Sequence, residues 1–357
     1  MLAHISGNAD VTAGTAVRVH AIDDTTLLNV GGTLASSTGK SKGNSAIGAA
    51  VSLNRVENEV KAWIDGATTE VTAPVVEVHA DSNVEVEVYT VGGANADAFS
   101  FAGSVSVNWA LSTTEAGIDG AEVTATTSVR VEASDDSSFF AVAGSGARSS
   151  NTTAVGAAFS KNSFDNTIRA FITGAAVNAP TVDVVAGTTA SIQAIAVGGS
   201  LGDKNALAGS VTLNEISSRI EASISSSTVT ASTAVKVSAQ DDSSIMAIGG
   251  SGALSGKGNA VGAAFSKNDV VNTIRSSISG SVFVTPTVEV EAGSSAEILA
   301  IAVGGAFADK NALGASVTLN RIANLIEASG TGTIAAGSSI RIEANDNTSI
   351  DSWSGGV

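Results

Sequence analysis

Along most of the chain apolar and polar residues alternate with a period of two, as in TAVRVH (15–20), Val75–His79 and Val84–Val91. Gly, Ser, Asn and Asp bound these runs, which is the signature of half-buried β-strands. The predicted order repeats. A strand leads to a polar turn (Ala21–Thr26, then Asp81–Asn83), and a second strand runs into a Gly-rich break (Gly31-Gly32, Gly92-Gly93). Two anchor strands and a Gly turn follow. No segment carries a helical period. The best-defined stretch is NAVGAAFSKNDVVNTIRSSISG (259–280), which recurs in altered form six times around Asn54, Asn108, Asn162, Asn214, Asn268 and Asn320. Successive asparagines lie 54, 54, 52, 54 and 52 residues apart. A fixed period of about 53 residues marks a repeat architecture, read here as one continuous array over residues 1–357.

Two further regularities sit on this period. Residues 141–244 match 247–350 better than neighbouring units match each other, a superperiod of 106 residues that duplication of unit pairs explains most simply. Within each anchor a Ser or Thr precedes the asparagine by two positions: Ser52, Ser106, Ser160, Thr212, Ser266 and Thr318. The apolar set changes parity at the asparagine, which predicts a corner or bulge there. Stacked in register, the six asparagines form a column in which each amide donates to the next carbonyl, a structural ladder. Asn58, Asn166, Asn272 and Asn324 form a second, less regular column. The expected fold is all-β: a parallel β-solenoid, wide or flattened because coils of about 53 residues are too long for a hollow tube filled by Ala and Val. Tandem β-sandwich modules of 106 residues are the alternative.

Composition narrows the chemistry. Only 4% of residues are aromatic, which suits closely stacked strands, and 38 glycines against three prolines suit many tight turns. Thirty-four acidic and 18 basic residues leave a net charge of −16, unfavourable for nucleic acid and anionic membranes. No run of about 20 apolar residues exists to span a membrane as a helix. The absence of cysteine removes disulfides, thiolate metal sites and cysteine nucleophiles. Met1-Leu2-Ala3-His4 enters repeat-like sequence directly, and Ile340–Ile350 begins another unit, so a piece of a longer protein is expected.

Few residues invite catalysis. His4, His20 and His79 are the three histidines; His20 and His79 end equivalent strands and read as surface residues, and no Gly-x-Ser-x-Gly elbow has a base beside it. A glycan-cleaving β-helix needs one groove of clustered carboxylates, whereas the acids here recur with the period. The recurring pairs Asp23-Asp24, Asp135-Asp136 and Asp241-Asp242 raise a Ca²⁺ hypothesis, with solvated turn aspartates as the other reading. Lys161 and Lys267 alternate with Leu53, Leu213 and Leu319 in one column, a partly apolar exposed stripe. The segments Ser145–Thr153 and Gly252–Asn259 vary most between units and read as contact loops.

The run Asn166–Val177, then Val182–Ala186, then Ala194–Gly199 resembles the repeats of giant bacterial surface proteins. These are the filamentous-haemagglutinin-like and leukotoxin-type filamentous adhesins, and the likeness of repeat style covers essentially all 357 residues. The resemblance implies a β-solenoid stalk displayed on, or shed from, a bacterial cell, and supplies no catalytic residues. The expectation is therefore a non-catalytic, extracellular or cell-surface spacer without a cofactor. Its partners would be further copies of the repeat, neighbouring filament subunits, or a host or matrix glycan or protein. A self-assembling filament subunit and a glycan- or calcium-binding module are the alternatives.

Overall fold

The computed structural model describes residues 1–37, 39 and 43–357, and of residues 281–283 the backbone alone. Its strands form one parallel sheet, and no helix occurs among the described residues. Each strand lies between the strands about one period before and after it. Val184 sits between Val131 and Val237, and Asn214 between Asn162 and Asn268. The coil is therefore about 53 residues, wound as a solenoid. Because pairing runs through every unit boundary, separate 106-residue sandwiches are excluded.

Each coil has three arms. The first is exemplified by Glu122–Asp135, Ala176–Thr188 and Thr228–Asp241. The second follows as Ser138–Ser149, Ser191–Gly202, Ser244–Ser255 and Glu297–Ala308. The third turns back over both as Ser45–Asp65, Phe99–Asp119, Thr153–Thr173 and Asn205–Ser225. At about 3.3 Å per residue the third arm is roughly 70 Å long, whereas six or seven coils stacked at about 4.8 Å give only about 30 Å along the axis. This span of chain is thus a flat slab, broader than it is tall.

The interior narrows along the slab. Between the first arm and the end of the third lie Val129, Val182 and Val235 against Ile168, Ile220 and Ile274. In the middle, Phe139 stacks on Phe164 with ring centroids 4.2 Å apart, beside Ile192, Ile216 and Ile245. Beyond the asparagines the interior is Ala, Gly and Ser, with Thr90 and Thr212 next to the asparagine column. There the second and third arms approach so closely that a Cβ on Gly198 would stand 2.1 Å from the carbonyl oxygen of Gly209. Gly156 meets Gly199 in the same way.

The strands differ from expectation in three places. Ala16–Ser37 and Glu70–Ala96 run unbroken through both the expected polar turns and the Gly-Gly breaks. The chain instead reverses after them, at residues 97–98, 150–152 and 203–204, so 145–149 are strand. Nor is there a corner at the asparagine. In Asn205–Ser225 every even position from Ala206 to Ile224 is buried, so the inward parity never changes. What changes is the content: before the asparagine the inner face is Ala206, Ala208, Ser210 and Thr212, and the apolar odd positions face solvent. Val51 is 61% exposed and Leu319 50%.

Candidate functional site

The chemically capable side chains lie in columns along the solenoid axis, and parallel in-register pairing is what stacks them. The anchor asparagines form one interior column. The Nδ2 of Asn54 donates to Oδ1 of Asn108 at 2.8 Å, Asn108 to Asn162 at 2.7 Å, and Asn162 to Asn214 at 2.8 Å. Asn214 donates to Asn268 and Asn268 to Asn320, both at 2.8 Å. Asn29 extends the column below, donating to Asn54 at 2.6 Å from a second-arm strand. The second amide hydrogen finds the serine two residues back, as in Asn108–Ser106 and Asn162–Ser160 at 3.2 Å. Burial makes each bond matter, since an interior amide left unpaired costs about 1–3 kcal/mol.

The Asp pairs divide across the sheet. Asp23, Asp135 and Asp241 point inward, and in register they alternate with Ser82, Thr188 and Ser294. An asparagine faces each from the third arm: Asn58 donates to Asp23, Asn166 to Asp135 at 3.1 Å, and Asn272 reaches Asp241 through Ser243. Where the column carries Ser82 or Thr188, the facing residue is Ser112 or Ser218 instead. Each inward aspartate thus has an asparagine opposite, but the residue opposite does not alone set the column, since Asn324 donates to Ser294 at 2.9 Å. Asp135 is the extreme case, because its Oδ2 has no hydrogen-bond partner. Burial pushes its carboxyl up to about 6, against the hydrogen bonds from Ser137 and Asn166.

Asp24, Asp136 and Asp242 point outward and take hydrogen bonds from the next coil: Asn83 to Asp24, Thr189 to Asp136 and Ser295 to Asp242. The two carboxylates of a pair therefore do not converge. Among the described residues no group of three or more His, Cys, Asp or Glu side chains could hold a metal.

Two outer columns alternate in charge. On the first arm, Arg18, Glu77, Arg130, Asp183, Lys236, Glu289 and Arg341 follow one another in register. On the third arm the order is Lys61, Glu115, Arg169, Glu221, Arg275 and Glu327. Arg169 lies 2.8 Å from Glu115 below and 3.6 Å from Glu221 above. Sequence reasoning missed both columns, although opposite charges one period apart within a two-period repeat were the available signal. His79 belongs to a neighbouring column, with its ring edge-on to His20 and Nδ1 3.4 Å from Glu132. That contact raises the His79 pKa and, with Arg130, holds Glu132 down at about 2.

The narrow part of the slab shows the same two-coil rule in volume. One coil sets Gly198 against Ala208 and Ser210, and the next sets Ser251 against Gly262 and Ala264. The same three residue types fill each coil with their places exchanged. The chain matches no family model, no curated protein and no solved structure.

Proposed function

We propose that the chain is a non-catalytic spacer, a stalk segment of a large secreted or cell-surface bacterial adhesin or extracellular filament. One observation carries this reading. The polar and charged residues recur with every coil or every second coil, and their partners are largely the copies above and below. Side chains engaged in this way hold coils in register and give a stiff stack. A catalytic centre would gather unlike groups at one place along the axis, and a ligand site would leave converging donors or acceptors free. The repeat likeness to filamentous adhesins supports the same reading and directs it to the outside of a bacterial cell.

Duplicating residues 176–281 tests the spacer. Small-angle scattering should show the axial dimension growing by about 9.6 Å for each added pair of coils, with an unchanged cross-section. Calorimetry against Ca²⁺ and against bacterial and matrix glycans should show no saturable heat. Saturable binding, or turnover of a polysaccharide, would overturn the proposal.

A further inference from the structure

The outer face of the third arm carries an apolar relief that continues through six coils. Two residues at each level form its centre. The first is a small floor residue: Ala49, Gly103, Ala157, Gly209, Ala263 or Ala315. Two positions on stands a ridge of Val51, Val105, Phe159, Val211, Phe265 and Val317. A second ridge, from Ile47 and Phe101 to Leu313, closes the other side of the floor. Together they leave a groove of about 550 Å³ running along the axis and lined almost wholly by apolar atoms.

The opposite flat face of the slab is also apolar but fills its own hollows. Val91 and Val197 lean over Gly144 and Gly250, within 3.7 and 3.5 Å of where a Cβ would stand there. An open hollow of about 620 Å³ remains at the far end of that face beside Leu201, Leu254 and Phe307, but Arg148, Asp203 and Asp309 line it too, whereas the third-arm furrow is lined almost wholly by apolar atoms.

We infer that this face docks against the same face of a second copy, related by a two-fold axis parallel to the solenoid axis. That operation sets strands antiparallel and places each coil opposite its own counterpart. With the axis between floor and ridge, the ridge of one copy enters the floor of the other and the reverse. Val211 would face Gly209, Phe159 would face Ala157, and Phe265 would face Ala263. At the margins Ile47 would meet Leu53 and Leu207 would meet Leu213. Lys161 and Lys267 lie on this margin, where long stems cover apolar surface while the ammonium stays in water.

Two arguments favour another copy over any other occupant. A partner must present ridges every 4.8 Å with a two-residue offset to fit all six levels, and this chain does so itself. The contact also has the necessary size. Six coils by seven residues cover about 29 by 23 Å, about 1,300 Å² for the pair, within the range of specific interfaces. The inference stands on the outer relief and goes beyond the spacer reading: a spacer that stays single would remain a spacer.

Sedimentation of the full chain between 1 and 100 μM tests it. The expected species is a closed dimer of the 35.0 kDa chain. Phe159→Lys with Phe265→Lys should raise the dissociation constant at least about 100-fold, as expected for charges set in an apolar interface. Ile195→Lys with Ile248→Lys, on the opposite face, should leave the dimer intact. If the phenylalanine variant does not fold, hydroxyl-radical footprinting of the wild type decides. Oxidation of Phe101, Phe159 and Phe265 should fall as concentration rises, while that of Phe307 on the other face stays constant. A monomer throughout, or an end-to-end ladder of masses insensitive to the phenylalanine changes, would overturn the inference. So would dimer loss in the isoleucine variant alone, or a monomer that takes up one fluorescent fatty acid in the groove.

Discussion

Removing one coil should damage this solenoid about as much as removing two. Deleting residues 176–227 brings the coil Glu122–Thr173 against the coil that begins at Thr228. The asparagine ladder rejoins through Asn162 and Asn268, but the two-coil columns do not. Arg130 then lies beside Lys236, Arg169 beside Arg275, and the buried Asp135 beside Asp241. Two unit charges 4.8 Å apart at an effective dielectric of 20 would repel by about 3.5 kcal/mol, but a carboxyl already raised to about 6 takes up a proton at pH 7.5 for about 2 kcal/mol, which caps the cost. Each outer column changes from attraction to repulsion, about 1 kcal/mol apiece for half-exposed cross-strand pairs. The sum, about 4 kcal/mol, is comparable to what about 53 residues contribute at roughly 0.1 kcal/mol each. Deleting residues 176–281 instead sets Arg130 beside Glu289, Arg169 beside Glu327 and Asp135 beside Ser294. Urea unfolding at pH 7.5 and low salt should therefore find the one-coil deletion about as stable as the two-coil deletion, despite its extra coil. Lowering the pH to 5 or raising salt to about 1 M should improve the one-coil deletion selectively. A one-coil deletion midway between the full chain and the two-coil deletion, indifferent to pH and salt, would refute the column argument.

Asp135→Asn should change the pH dependence of stability. A buried carboxyl raised to about 6 from its ordinary 3.8 binds its proton more tightly folded than unfolded, so the wild type gains up to about 3 kcal/mol as pH falls through that window and the variant does not. Denaturation should therefore show variant-minus-wild-type stability rising by about that amount between pH 4 and 7.5; a constant difference would refute it. Asn162→Ala strips two bonds from the middle of the ladder and should cost about 2–4 kcal/mol in urea unfolding, against about 1 kcal/mol for Asn29→Ala at its lower end. Equal losses would mean that the column is not a connected ladder. Ser226 holds a φ of 51° at the turn where other coils have Gly66, Gly120, Gly174 and Gly280, so Ser226→Gly should raise the melting temperature, by about 1 kcal/mol in stability.

The repeat period, the strand content and the stacked solenoid were legible because the asparagine recurs without exception and alternation needs no tertiary knowledge. The corner at the asparagine was misread for an instructive reason. Parity reasoning takes the apolar face as the inner one, and that holds after Asn214, where Ile216, Ile220 and Ile224 are buried. Before Asn214 it fails, because two backbones almost in contact leave room inside only for Ala208 and Ser210, and the larger Leu207 and Val211 turn outward. Nothing in the local pattern distinguishes a thin interior of small residues from a solvated face. The Gly-Gly pairs were read as breaks for the same reason: Gly198 serves the close approach of Gly209, a partner known only once the third arm is folded back.

The two periods in the sequence follow from one property of the side chains. An amide both donates and accepts, so an asparagine can stack on an identical neighbour, and its column repeats with every coil. A carboxylate only accepts and a guanidinium only donates, so neither can stack on its own kind without repulsion. Their columns must alternate, and the shortest alternation is two coils. The same holds for volume, where Ser251 can occupy the place of Gly198 only if Gly262 replaces Ala208 across the gap. Once charges, the inward aspartates and the narrow interior each require alternation, all must share the same phase, since the arms of one coil are covalently joined. A duplication history produces such a pattern without constraint; interlocking columns also preserve it, because a coil out of phase is wrong in every column at once. The outer third arm keeps the same phase: Phe159 and Phe265 stand in register with Val105, Val211 and Val317, and Gly103 and Gly209 with Ala157 and Ala263, so that only the outline of ridge and floor repeats with every coil.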